Sequence, residues 1–375
     1  MSRVLVMETK QRNMLAVIIV AAIVIIAAVA IVFWPQPENE NSKVIYWYQV
    51  APVNQQAVLQ SGQAQGAVSW EPYTSAQIIN GGAHPLVWSS DLWPGHPCCV
   101  IAVKFDNSVF PNNATNQDLI ARIVRANMDA SQWLVNTVAT HDSNFSALLS
   151  MGSQFSGVSQ VVVEDALNHT GYENEITSGT VDWFINYTNM FAALNQLTNL
   201  AGYPNSTAYV NSIVNSTYLE KALQVQPSAT ILNPDHPVSL GFLNGDLHQF
   251  ARVIAMNKTL WGGQTLFEKY GVLISSPPAF ANGPAVMSAL GANAISIGYL
   301  GAPPALLLRA NSNIPIQIVS LVNTEGSAIV GASGITSFDQ LNGQTVVTPG
   351  PGSIQHLMLA YYCQQHDYVL KLKGT

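Results

Sequence analysis

The chain has 375 residues, enough for one large or two ordinary domains, and 48% of them are hydrophobic, which excludes a disordered chain. Charged residues make up 9%, against roughly 25% in an average soluble protein, so solubility falls to Asn, Gln, Ser and Thr. A formal net charge of −7 argues against nucleic acid as a partner.

Met14 to Trp34 are 21 consecutive uncharged residues, mostly Ala, Val and Ile. At ~1.5 Å per residue such a helix crosses a ~30 Å hydrocarbon core. Arg3, Lys10 and Arg12 precede it, so the positive-inside rule puts the N-terminus in the cytoplasm. The expectation is a cytoplasmic tail at 1–13, a single-pass cell-membrane anchor at 14–34, a spacer at 35–43 and an extracytoplasmic remainder. A cleaved signal peptide is the competing reading. Sequons at Asn113, Asn144, Asn168, Asn186, Asn205, Asn215 and Asn257 agree with an outer, glycosylated location.

Beyond the spacer, Val44–Val50 is predicted as a strand, Pro52–Leu59 as a helix and Ala67–Trp70 as a strand, a βαβ unit. Cys99–Lys104 is the next strand. Thr115 and Asp118 form a capping-box pair opening a helix with Leu119, Ile123, Ala126, Ala130, Trp133 and Leu134 on one face. Helical patterns follow at Val161–Leu167 and Val181–Leu194. Pro227, Pro234 and Pro237 mark a linker. Then come a strand at Ser239–Leu243, a helix at Asp246–Met256, and strands at Ile295–Leu300, Ile316–Val322, Ser327–Val330 and Thr345–Thr348. A helix at Ser353–Gln365 is last. Strands alternating with helices imply an α/β fold. Cys98, Cys99 and Cys363 are the only cysteines; three make neither a disulfide framework nor a recognisable metal motif.

Within 238–366, the segments Gly245-Asp246-Leu247-His248-Gln249, Gly298-Tyr299-Leu300-Gly301-Ala302-Pro303-Pro304, Glu325-Gly326-Ser327 and Pro349-Gly350-Pro351-Gly352-Ser353-Ile354-Gln355 resemble the N-terminal half of the nitrate/sulfonate/taurine-type substrate-binding proteins of ABC importers. Ala51-Pro52, Leu59-Gln60-Ser61-Gly62, Trp70-Glu71-Pro72 and Trp93-Pro94-Gly95-His96-Pro97 resemble that family's C-terminal half. The halves stand in reversed order. The resemblance therefore implies a circularly permuted, two-lobed, periplasmic-binding-protein-like type II α/β fold behind an N-terminal transmembrane helix. On that reading 44–202 is the family's C-terminal half, with 44–92 in a smaller lobe and 93–202 in a larger one. Residues 203–237 join the old termini, and 238–375 is the N-terminal half, with 238–337 in the larger lobe and 338–375 in the smaller.

The implied function is capture of a small organic anion by lobe closure and its delivery to an ABC permease and ATPase. An alkanesulfonate is the first choice, with nitrate, taurine and bicarbonate as further possibilities. No cofactor, catalytic residue or metal ligand is expected. The alternatives are a thiamine-pyrimidine-precursor binder or related synthase, which Cys98-Cys99 beside His96 brings to mind, and a membrane-anchored sensor. Ligands in such sheets sit at the C-terminal ends of strands, where Gly301, Gly326 and Gly352 fall. Ser353 caps a helix whose N-terminus suits an anion. His96 and His248 are candidate donors that gain charge in acid, Trp70 and Tyr299 candidate walls, and Glu71 and Asp246 candidate orienting acids. Gly245, Glu325, Ser327 and Gln355 complete the expected set.

Overall fold

Short apolar runs bounded by Gly, Pro and Asn set the strands, and the computed structural model describes residues 43–106 and 108–374. In chain order the strands are β1 (Lys43–Gln49), β2 (Gly66–Trp70), β3 (His84–Trp88), β4 (Cys99–Lys104), β5 (Thr170–Gly171), β6 (Leu240–Leu243), β7 (Ala279–Phe280), β8 (Ile297–Gly301), β9 (Ile316–Leu321), β10 (Thr324–Glu325), β11 (Ser327–Gly331), β12 (Thr345–Thr348) and β13 (Tyr368–Leu372). They form a six-stranded sheet ordered β13-β1-β12-β2-β11-β3, a five-stranded sheet ordered β7-β6-β8-β4-β9, and a two-stranded ribbon of β10 and β5. Both large sheets are mixed: β1 runs parallel to β12 and β13, whereas β4 runs antiparallel to β8 and β9.

Each large sheet carries helices on its faces, which is why β2, β4, β8 and β11 read as nearly continuous apolar runs. Helix Ala114–Thr140 buries Leu119, Ile123, Ala126, Ala130 and Leu134 as one stripe. That stripe belongs to the main core, with Phe250, Leu290 and Val319 among its other members. A smaller cluster of Leu59, Ala67, Ala328 and Val347 fills the other face of the six-stranded sheet.

Several details differ from the sequence reading. Helix Ala114–Thr140 is capped by Asn113, whose side chain accepts from the Asn116 N–H, rather than by a Thr115–Asp118 box. Asn113 and Asn205 both serve as N-caps, a local reason for asparagine at two of the sequons. The helix expected over Asp246–Met256 splits into a 3-10 turn, Leu247–Gln249, and helix Phe250–Ala255. Residues 203–237 hold two helices, Ser206–Ile213 and Thr217–Gln224, with Tyr209, Val210, Tyr218 and Ala222 buried. Strand β11, assigned by sequence to the larger lobe, pairs with β2 and β3 in the six-stranded sheet. The crossing between sheets therefore lies near β10, before residue 327. β13 lacked a sequence signal because it is a half-exposed edge strand. The anchor expected at Met14–Trp34 lies outside the described residues; none of the described helices is long and apolar enough to cross a membrane.

Candidate functional site

β6, β8 and β2 end at Leu243, Gly301 and Trp70, and all three residues line one small cavity. The loop after β12 brings Ser353, Ile354 and Gln355 to it, and the start of antiparallel β4 brings Cys98 and Cys99. One wall thus comes from the five-stranded sheet and the other from the six-stranded sheet, at the strand-end position where open α/β sheets take ligands. The cavity measures about 20 Å³, room for about one water, so the walls stand closed on each other. A backbone bond crosses between them: Leu247 N–H donates to Glu71 O at 3.1 Å.

Helices Gly283–Gly291, Ala302–Asn311 and Ile354–Gln365 all begin at this cavity. Pro284, Pro303 and Pro304 fit the first turns of two of them, where no backbone N–H is needed. Three helix N-termini favour negative charge at the cavity, and neither Lys nor Arg lines it. Trp70 adds a buried indole N–H with no hydrogen-bond partner among the described residues.

The buried polar core of the site is Cys98, Cys99, Asp246, His248 and Gln249. His248 Nε2–H donates to Gly326 O at 2.8 Å, which leaves Nδ1 facing Cys98 Sγ at 3.3 Å and Asp246 Oδ1 at 3.4 Å. Burial by itself lowers the imidazole; Cys98 and Asp246 outweigh it and carry His248 up to about 10. Cys98 is held down at about 5 by the hydrogen bond from Cys99 and by His248, against burial. Cys98 and His248 thus act on each other directly, the thiol drawn down and the imidazole drawn up. Burial pushes the Cys99 thiol well up, and Asp246 up to about 7. Both cysteine N–H groups are engaged by Asn323, Cys98 with its carbonyl at 2.9 Å and Cys99 with its side chain at 2.8 Å. That interruption of the regular ladder sets both thiols at the cavity, where a regular strand would point them apart.

Of the residues singled out by sequence, Trp70, Asp246, His248, Gly301, Ser353 and Gln355 line the cavity. Ser353 caps its helix through His356 N–H at 3.1 Å. Gly326 (φ +82°) lies against it: a Cβ there would meet His248 Nε2 at 2.2 Å. Gly245 likewise leaves room for the Tyr73 hydroxyl. Gly352 has the same φ of +82° but open space, with nothing closer than 3.5 Å. Ser327 accepts from Gln355 at 2.9 Å and so fixes that side chain from behind. Glu71 is fully buried beside the site, raised to about 7 by burial; one carboxylate oxygen accepts from Ser75 N–H at 3.1 Å and the other lacks a partner among the described residues.

Three assignments are corrected. His96 is a core residue: its Nδ1 meets the Tyr187 hydroxyl at 2.9 Å, Trp93 and Trp183 pack around it, and burial lowers it to about 3, so it gains no charge in mild acid. Tyr299 is fully buried and contributes its carbonyl, which accepts from Gln249 at 3.1 Å, rather than a ring to the cavity wall. Glu325 accepts from Gly95 N–H at 2.7 Å and tethers a loop. Sequence reading missed Cys98, Cys99, Leu243, Gly283, Pro304 and Ile354; only the paired cysteines carried a signal. A wider groove of about 690 Å³ between Trp93, Trp183 and Tyr361 lies outside this site and offers only amide and aromatic groups.

Residues 35–148 match the profile of the NMT1-like family. Over 128 residues the chain is 30% identical to a binding protein of Brucella abortus, an alignment covering 34% of this chain and 37% of that one. Binding proteins of Brucella suis and Brucella melitensis match to the same extent. The chain thus spans little more than a third of the length of the curated relatives it matches. These likenesses support a solute-binding role.

Proposed function

We propose that this chain is the extracytoplasmic solute-binding component of an ABC importer, held at the membrane by the segment 14–34, and that it captures a small organic anion. An alkanesulfonate is the preferred solute; nitrate, bicarbonate and the sulfonate end of taurine share the needed charge. The observation that carries the reading is the convergence of three helix N-termini and the Trp70 N–H on a cavity between two sheets. Those backbone dipoles favour negative charge where the N-termini meet.

Binding by lobe closure needs no bond to be made or broken. A solute touching both walls stabilises the closed arrangement by its differential contacts, and the permease meets that form. The circular permutation belongs to the same proposal, and the parallel pairing of β1 with β12 and β13, drawn from opposite ends of the sequence, supports it.

A thermal-shift panel of alkanesulfonates, taurine, nitrate, bicarbonate and pyrimidines tests the reading. A solute that binds only the folded state raises the melting temperature by mass action. A saturable shift from one anion, weakened by Ser353→Ala, is the expected result. A cooperative melt that no anion moves, or a shift from a cationic compound only, overturns it.

A further inference from the structure

We propose that Cys98, Cys99 and His248 form a binding site for a divalent cation of the zinc class. The Cys98 and Cys99 thiols and a ring nitrogen of His248 lie within 4.8 Å of one another, all on fully buried residues. Asp246 stands beside the set, with Oδ1 3.4 Å from His248 Nδ1 and Oδ2 3.9 Å from Cys99 Sγ. Cys98 Sγ stands 3.3 Å from the same Nδ1.

Zinc bonds of ~2.3 Å to sulfur and ~2.0–2.2 Å to nitrogen set a sulfur–nitrogen edge of ~3.6 Å in a tetrahedral site. The 3.3 Å from Cys98 Sγ to His248 Nδ1 falls within a few tenths of an ångström of that value. Two thiolates and an imidazole select a borderline-soft ion over magnesium or calcium, which require oxygen.

The surroundings are those of a metal site as well. A ligating histidine donates its other ring N–H to a carbonyl or carboxylate, and His248 does so to Gly326 O at 2.8 Å. The Gln249 side-chain N–H₂ reaches Asp246 Oδ2 at 3.4 Å and Cys99 Sγ at 3.8 Å, and its carbonyl oxygen accepts from Leu243 N–H at 3.0 Å. The amide is thereby oriented to donate toward both Asp246 and Cys99. Cys98, Cys99 and His248 all stand at the cavity between the sheets, so opening of the walls gives an ion its entry path. The site does not rest on the identity of the transported solute, and its test contains none.

The full-length chain, reduced and freed of metal with a chelator, is titrated with zinc against a chromophoric competitor, and separately with cobalt(II). About one equivalent of zinc should bind, and cobalt should show thiolate charge-transfer bands with the intense ligand-field spectrum of a tetrahedral ion. Cys98→Ser and Cys99→Ser should each remove the charge-transfer bands in part, while Cys363→Ser leaves them intact. Gln249→Ala should weaken zinc by ~10–100-fold, as loss of an orienting partner does. Near-ultraviolet circular dichroism of the metal-free variants verifies their folding. Failure of the wild-type chain to bind zinc overturns the site, and so does a bound ion indifferent to both cysteine substitutions.

Discussion

Gly326 and Gly352 share a backbone angle, φ +82°, and differ in what a methyl group would meet. At Gly352 the nearest atoms to an added Cβ are carbons at 3.5 and 3.6 Å; at Gly326 they are His248 Nε2 at 2.2 Å and Thr170 Oγ1 at 2.9 Å. Alanine at either position carries the left-handed penalty of roughly 1–2 kcal/mol, part of it offset by a stiffer unfolded chain. Gly352→Ala should therefore cost about 1 kcal/mol. Gly326→Ala must in addition displace an imidazole fixed on both sides, by Gly326 O at 2.8 Å and by Cys98 at 3.3 Å. A buried hydrogen bond from a charged donor is worth ~1.5–3 kcal/mol, which brings the total to about 3–4 kcal/mol. In calorimetry on the full-length chain the gap of about 2–3 kcal/mol should appear as a melting temperature roughly 3–4 °C lower for Gly326→Ala than for Gly352→Ala. Equal losses would refute the idea that His248 is immobile and that Gly326 exists to admit it.

Further outcomes follow from other buried groups. Glu71 is raised from 4.5 to about 7 by burial, so the folded state holds its proton more tightly than the unfolded one. Its contribution is complete below pH 4.5 and disappears as pH rises through 7, worth roughly 3 kcal/mol in all. Glu71→Gln should flatten the fall in wild-type stability between pH 5 and 8, measured by urea titration; parallel pH profiles would contradict this. Arg252 is buried with its charge 3.8 Å over the Phe242 ring and its Nε unpartnered among the described residues. Arg252→Met should be neutral or stabilising by about 1 kcal/mol, whereas Arg252→Ala leaves a cavity and should lose about 2–4 kcal/mol. Trp70→Phe keeps most of the ring and removes an N–H that has no acceptor among the described residues. It should leave the melting temperature of the free protein within ~2 °C and weaken an anionic solute by ~10–100-fold; an unchanged affinity in calorimetric titration would remove Trp70 from the site.

How much of this was legible in the sequence depended on the kind of signal. Cys99–Lys104 and Thr345–Thr348 emerged with the predicted bounds, because a strand buried on both faces must be apolar throughout. The helix start at Asn113 was displaced because Asn and Thr are both good caps, and only backbone geometry decides which is used. His96 and His248 were indistinguishable as lone histidines. What separates them is tertiary: Tyr187 and two tryptophans around one, a cysteine and a carboxylate against the other. The closeness of Cys98 to His248, the partner set by Asn323 and the arrival of Gly283 at the cavity rest on strand pairings across long stretches of chain, which no local spacing reports.

The order of the six-stranded sheet also bears on how the chain is made. Among the described strands β1 is synthesised first, yet its two neighbours, β12 and β13, are synthesised last. Tyr46 has no ladder partner until Thr345 exists, and Lys43 none until Tyr368 does. Through nearly all of translation β1 is therefore a hydrophobic strand open on both edges, the kind of segment that pairs with whatever other strand it meets. Closing it requires the most distant contacts in the chain, which fold slowest. The nascent protein is thus expected to depend on chaperones for this sheet until Tyr368–Leu372 has emerged.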